Sequence, residues 1–250
     1  MNIIEISFLG IIQGITEWLP ISSSGHLVLF TQWLGIENSS LAFDIFLHVA
    51  SLVVIVVFFR KQIIEAIENS LNKRHKDKEK KDWLWYIALS SLVTAIVGLV
   101  LYGNMASFRN VASVSDWLVV TALLLLATKF STEKKNIGWT HALVLGLAQG
   151  FGVLPGLSRS GVVIAIALIM GIKRKQAFEY AFILAIPAIL GSFILSLSDF
   201  TWQWIYLVGF ALTVAVSYLT LNLLRMIIDK NYFYLFFIYT LFLAIIIKTL

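Results

Sequence analysis

Leu9-Gly-Ile-Ile-Gln13-Gly-Ile-Thr-Glu17-Trp-Leu-Pro20-Ile-Ser-Ser-Ser-Gly25 is an apolar stretch interrupted near its centre by a proline, three serines and a glycine. The same landmarks return in the same order in Leu145-Gly-Leu-Ala-Gln149-Gly-Phe-Gly-Val-Leu-Pro155-Gly-Leu-Ser-Arg159-Ser-Gly161. The Leu-Gly and Gln-Gly pairs of the two stretches are offset by 136 positions, the Leu-Pro pairs by 135, and the closing glycines by 136 again. Proline and glycine followed by hydroxyl residues stop one helix and cap the next. Regions 3–35 and 139–172 therefore read as helical hairpins broken at their tips. Each arm is too short to cross a bilayer comfortably, so both are expected to be re-entrant.

Around these breaks the chain is membrane-like. Of its 250 residues 59% are hydrophobic and 13% charged, where a soluble domain carries about 25% charged residues. Apolar runs near 42–59, 83–102, 114–130, 177–198, 202–224 and 231–248 are long enough to span as helices. In lipid the backbone must bond to itself, which makes such runs helical. The expected fold is all-α: a polytopic membrane protein with six full transmembrane helices and two re-entrant hairpins, forming a single membrane domain over 1–250. Repeat one covers 1–130 and repeat two 139–250. Three spans follow each hairpin, and three is odd, so the second repeat begins on the opposite side of the membrane. That is an inverted-topology repeat, whose functional site lies near the midplane where the halves meet.

The charges test this layout. A net charge of +5 could suggest nucleic acid, but all except three of the 19 basic residues fall on one side of the proposed topology. They sit in loop 60–82 and in the short connections holding Lys129 to Lys135, Lys173 to Lys175, and Arg225 to Lys230. Arg109 and Lys248 lie on the other side, and Arg159 lies inside the second hairpin. The positive-inside rule makes the basic side cytoplasmic and puts both termini outside. Loop 60–82, with eight basic and five acidic residues, reads as a solvated loop against anionic headgroups whose first part could extend as a helix. No nucleic-acid partner is expected. The absence of cysteine excludes disulfides and thiolate chemistry. Met1-Asn-Ile-Ile-Glu5 lacks the basic start of a cleaved signal peptide.

Ionisable groups at membrane depth are expensive and usually functional, and here they gather at the two breaks. Gln13 and Glu17, four apart, share one helix face. Ser22, Ser23 and Ser24 open the second arm, where hydroxyls and free N–H groups form an anion-receptive helix N-terminus. Ser158, Arg159 and Ser160, beside Gly156, take the equivalent place in the other half. Arg159 adds a permanent charge and a planar donor fork suited to phosphate oxygens. Glu17 and His26 supply an acid/base pair beside candidate hydroxyl nucleophiles. The plainer alternatives are that the serines bond carbonyls four residues back and that Gln13 and Gln149 tie hairpins to neighbouring backbone. Asp44 and His48 either complete the cavity or satisfy each other. Asp116, Glu179, Asp199 and Asp229 read as interfacial, Trp83, Trp85, Trp202 and Trp204 as interface anchors, and His75 and His141 carry no assigned role.

Gln13-Gly-Ile-Thr-Glu17-Trp-Leu-Pro-Ile-Ser-Ser23-Ser-Gly-His26 and Pro155-Gly-Leu-Ser-Arg159-Ser-Gly161 resemble the two signature segments of the undecaprenyl-diphosphatase family, also known for bacitracin resistance. Phe43-Asp-Ile-Phe-Leu-His48 is similar to its weaker third signature. The resemblance implies an integral plasma-membrane enzyme that removes the terminal phosphate from a polyprenyl diphosphate lipid. It implies Glu17, Ser23, His26 and Arg159 as catalytic residues, and the chemistry of the two breaks sets Gln13, Ser22, Ser24, Gly156, Ser158 and Ser160 beside them as candidate substrate-binding residues. It further implies a divalent cation, Mg2+ or Ca2+, and a site open to the external face; Glu17 is the candidate metal ligand, or else orients His26. Gln13 stands where the family can carry Glu, and Val163 where Thr is common. Ser23 as nucleophile with His26 moving the proton, and His26 as nucleophile or water activator, are both open. The rival function is a polyprenyl-phosphate flippase or anion-coupled transporter, and a homodimer is open.

Overall fold

The computed structural model describes residues 1–36, 40–71 and 78–249, and among these the chain forms helices and no strand. In order they are α1 (Ile3–Thr16), α2 (Ser23–Trp33), α3 (Leu41–Phe58), α4 (Arg60–Leu71), α5 (Lys78–Tyr102), α6 (Met105–Phe108) and α7 (Val111–Ala127). Then come α8 (Trp139–Phe151), α9 (Arg159–Ile169), α10 (Arg174–Ser196), α11 (Tyr206–Asp229) and α12 (Phe236–Thr249). Lys73, Arg74, His75, Lys76 and Asp77 lie outside the described residues, as do the side chains of Lys78, Lys80, Lys81 and Asp229.

Five helices, α3, α5, α7, α10 and α11, are long and apolar enough to cross a membrane. The last expected span, 231–248, is shorter than its apolar run. Asn231 adopts a positive φ of 62°, a conformation Asn tolerates better than most residues. A 3-10 turn at Phe233–Leu235 follows, leaving 14 residues for α12. The start of α11 also moves, from 202 to Tyr206. Phe200 and Trp202 instead pack on Phe46 of α3, at ring distances of 5.2 and 5.9 Å. The first part of loop 60–82 is α4, and Trp83 packs edge-on against Tyr180.

Both breaks fall where proline and glycine place them, at 17–22 between α1 and α2 and at 152–158 between α8 and α9. The arms of each pair pack on one another. Lys135, before α8, bonds Gly171, after α9, at 2.8 Å, and accepts from Lys173 at 3.0 Å. The chain thus enters and leaves the second hairpin at one place.

Each first arm is clasped by a long helix from the other half: α1 lies along α11 and α8 along α5. Without water to drive helices together, membrane packing depends on close backbone approach at small residues. A Cβ on Gly10 would lie 2.6 Å from the carbonyl oxygen of Gly209, and one on Gly146 would lie 2.7 Å from that of Ser90. One turn on, Gly14 meets Val216 and Gly150 meets Val97. Thr213 donates to the Gly10 carbonyl at 2.9 Å, and Thr94 to that of Gly146 at 3.0 Å. The two clasps use equivalent residues in equivalent order.

Candidate active site

The two breaks meet, and Ser22 joins them. Its backbone takes a positive φ of 69°, costly for a residue with a Cβ. That turn aims Ser22 Oγ at two backbone donors, Gly25 N at 3.2 Å in its own helix and Gly156 N at 3.0 Å in the opposite break. Gly156 has a φ of +96°, and a Cβ there would sit 2.4 Å from the Val114 carbonyl oxygen. Thr121 of α7 braces the second break by donating to the Gly156 carbonyl at 3.0 Å and accepting from Ser158 N at 3.1 Å. Ser158 caps α9 through Gly161 N.

Glu17 ends the first arm with a buried side chain, and four groups converge on its carboxylate. Oε2 accepts from Ser23 Oγ at 2.6 Å and from Gln13 Nε2 at 3.0 Å, and lies 3.3 Å from His48 Nε2. Oε1 accepts from Arg159, the first residue of α9. Ser160 Oγ reaches the Glu17 carbonyl at 3.4 Å. A buried carboxylate survives only when paired and hydrogen-bonded, and here the partners come from α1, α2, α3 and α9.

All of these groups except Gln13 wall one cavity of about 620 Å³, together with Ser22, Ser24, Ser158 and Gln149. Asp44 and His48 are both in it and do not satisfy each other by side chain. His48 Nδ1 bonds the Asp44 carbonyl oxygen at 2.8 Å, while Asp44 Oδ2 accepts from Arg109 at 2.6 Å. Arg109 also lines the cavity. By its position in the sequence it is only a loop charge, although it is one of just two basic residues on that side. Gln149 serves the scaffold as well as the wall. It donates at 3.0 Å to the Leu184 carbonyl, within the α10 turn that Pro187 disrupts.

His26 is placed differently from the expected acid/base role. It is buried and does not line the cavity. Its Nδ1 meets the Ser22 carbonyl oxygen at 2.7 Å, and its Nε2 meets the Tyr239 hydroxyl at 2.8 Å, with the two rings stacked. A neutral ring protonated on Nδ1 fits both contacts, and it holds the carbonyl of the strained Ser22 turn. Gln13 and Gly156 also stay behind the wall. His141 accepts from Gly138 N at the start of α8.

A resident divalent cation does not fit this arrangement. Among the described residues no three His, Asp or Glu side chains come together as ligands. Both cavity carboxylates are already paired, Glu17 with Arg159 and Asp44 with Arg109. What the site offers is a hydroxyl on a carboxylate, two guanidinium groups and a helix N-terminus, a donor set for a phosphorylated anion.

The profile of the family described as bacitracin resistance protein BacA matches residues 6–246. The chain is 36% identical to an undecaprenyl-diphosphatase of Methanosphaera stadtmanae, over 91% of this chain and 90% of that one. It is 35% identical to an undecaprenyl-diphosphatase of Methanobrevibacter smithii, over 99% and 97% of the two chains. It is 39% identical to one of Korarchaeum cryptofilum, over 79% and 78%.

Proposed function

The chain belongs to the bacitracin resistance protein BacA family, and from that membership and the geometry of its site we propose how it acts. It is an integral membrane phosphatase that hydrolyses undecaprenyl diphosphate to the monophosphate and inorganic phosphate, returning the lipid carrier for cell-wall and surface glycan synthesis. One observation carries the mechanism: Ser23 Oγ rests 2.6 Å from a Glu17 carboxylate that Arg159 holds from the other break.

Ser23 Oγ attacks the terminal phosphorus in line, and Glu17 Oε2 takes its proton. The bond from that phosphorus to the bridging oxygen breaks, and the polyprenyl monophosphate leaves with the electron pair. Arg159 shifts from Glu17 to the phosphoryl oxygens, where charge is spread in the transition state. Glu17 passes that proton to the departing monophosphate oxygen, then takes a proton from a water that cleaves the phosphoserine and returns it to Ser23 Oγ, releasing phosphate. Arg109 holds the second phosphate nearer the mouth. His26 is a positioning residue for the Ser22–Ser23 turn. A divalent cation, Mg2+ or Ca2+, would supply charge neutralisation to the diphosphate oxygens, and no step here is routed through Glu17 as a metal ligand.

In the topology we favour, α12 with its preceding turn completes a sixth crossing, and the α1–α2 and α8–α9 hairpins are re-entrant halves of an inverted repeat. The equivalent clasps of α1 by α11 and α8 by α5 support that reading. So does a further echo: Ala42-Phe-Asp44 recurs as Ala177-Phe-Glu179. Asp44 faces Arg109 in the main cavity, and Glu179 lines a smaller one of about 210 Å³ with Lys175 and Arg225. Both termini then lie outside and the site opens to the external face of the plasma membrane. A homodimer is an arrangement for light scattering to test.

The flippase or transporter reading finds no support in the three relatives described above, each named an undecaprenyl-diphosphatase. A carrier also has no use for a hydroxyl set on a carboxylate. The deciding assay is phosphate release from undecaprenyl diphosphate by the purified protein, lost in Arg159→Ala and Ser23→Ala. Lipid translocation in vesicles without phosphate release, whichever divalent ion is supplied, would reverse the conclusion.

A further inference from the structure

The smaller cavity, of about 210 Å³, opens where the end of α3, the start of α4, the first turns of α10 and the end of α11 come together. These helix ends lie on the side of the chain that carries most of the basic residues. Lys175 and Glu179 of α10, Arg225 of α11 and Gln62 of α4 form its polar wall. None of the four lines the main cavity, and the phosphatase mechanism uses none of them.

Glu179 is half-buried. Gln62 hydrogen-bonds its carboxylate, Lys175 and Arg225 attract it through space, and Glu65 repels it. Among the described residues neither base closes to an ion pair with it. Asp44, its echo in the first repeat, behaves differently and accepts from Arg109 at 2.6 Å. One carboxylate and two cations therefore line the same small space without cancelling, although charges near a membrane are stabilised by close partners.

The rest of the wall is aromatic, from Phe58, Phe59 and Phe178. Phe59 and Phe178 are buried with ring centroids 5.6 Å apart, and Phe58 lies 5.0 Å from Phe59. The same helices expose Ile64, Ile67 and Met226, apolar surface suited to acyl chains. The volume is below the roughly 300 Å³ at which small-molecule pockets begin, so it takes one ionic headgroup. Basic pockets between membrane helices on the cytoplasmic side bind phosphate headgroups. A purely anionic headgroup leaves Glu179 facing it, and a purely cationic one leaves Lys175 and Arg225. A headgroup with both a phosphate and a primary ammonium gives every charge a partner.

We propose that this cavity binds the headgroup of a zwitterionic aminophospholipid from the leaflet on the basic side, with the phosphate on Lys175 and Arg225 and the ammonium on Glu179. The site is separate from the phosphatase chemistry and does not depend on that reading.

The test measures lipid binding to delipidated protein in detergent by native mass spectrometry. Phosphatidylethanolamine, phosphatidylcholine and phosphatidylglycerol with the same acyl chains are compared. Wild-type protein binds phosphatidylethanolamine about tenfold more tightly than either of the others, as one charged hydrogen bond provides. Glu179→Gln reverses the order in favour of phosphatidylglycerol, a gain that misfolding cannot produce. Lys175→Gln combined with Arg225→Gln weakens all three about tenfold or more. Wild-type protein that binds phosphatidylglycerol as tightly as phosphatidylethanolamine, or an order that survives Glu179→Gln, overturns the assignment. Glycerophosphoethanolamine, which has the headgroup without acyl chains, does not displace the lipid at equal concentration. Displacement would make the ligand a soluble zwitterion and overturn its assignment to the membrane.

Discussion

Arg159 and Glu17 stand 142 residues apart in the chain and share a hydrogen-bonded ion pair across the meeting point of the two breaks. The pair holds a buried carboxylate in its charged form at rest, and it parks the guanidinium within reach of an incoming phosphate. In the proposed mechanism, structure and catalysis therefore draw on the same contact.

Removing the guanidinium has two separable effects. Arg159→Ala lowers kcat/KM for phosphate release by roughly 10²–10³, as expected for a donor acting on developing charge. It also destabilises the fold by about 3 kcal/mol, because Glu17 loses its permanent counter-charge. Adding Glu17→Gln recovers much of the thermal stability in detergent without recovering activity. A double variant no more stable than Arg159→Ala would show that the pair contributes little to the fold.

A phosphoserine intermediate leaves a chemical trace. Acid quench of a single turnover with label in the terminal phosphate puts that label on Ser23, and Ser23→Ala abolishes it. Glu17→Gln slows its formation by about 10²-fold or more through loss of the base. Label on His26 instead would return the nucleophile to the imidazole.

His26 acts through the backbone of Ser22, so its neighbours matter unequally. Tyr239→Phe, which leaves Nδ1 on the Ser22 carbonyl, costs less than about fivefold in kcat. His26→Ala, which frees the strained turn, costs about 10²-fold. The pH profile of the residual His26→Ala activity keeps the shape of the wild-type profile, since Glu17 carries the proton. Loss of a limb of that profile would make His26 the base.

The clasp of α1 by α11 tolerates almost no added volume. Gly10→Val forces a methine carbon against the Gly209 carbonyl and destabilises the protein by about 1–3 kcal/mol or more. Gly98→Val, with open space at its Cβ, changes thermal stability far less. Melting in detergent with a fluorescent reporter compares the two, and equal losses would contradict the packing described.

Membrane residence, helical class and the location of both breaks were legible from residue order, because they depend on local chemistry. Long apolar runs must be helical in lipid, and Pro20, Pro155 and the serines after them stop and restart helices without reference to anything distant. The convergence of Glu17, Ser23 and Arg159 on one cavity was foreseeable only because the chain repeats its own pattern. Arg109 escaped, since nothing near it in sequence shows that it faces Asp44, 65 residues earlier. The surroundings of His26 escaped for the complementary reason. This histidine lies three residues from Ser23 in the chain, yet its helix turns the ring away toward Tyr239, 213 residues further on.

By itself the sequence determined a helical membrane protein with two breaks that carry polar and charged residues, since hydrophobic run length and helix-stopping residues act over a few neighbours. Tertiary structure alone decided which side chains face the cavity, and that Glu17 rather than His26 receives the Ser23 hydroxyl. Those outcomes depend on how rigid helices cross and which face each presents. Packing between segments far apart in the chain sets both, and no local pattern encodes it.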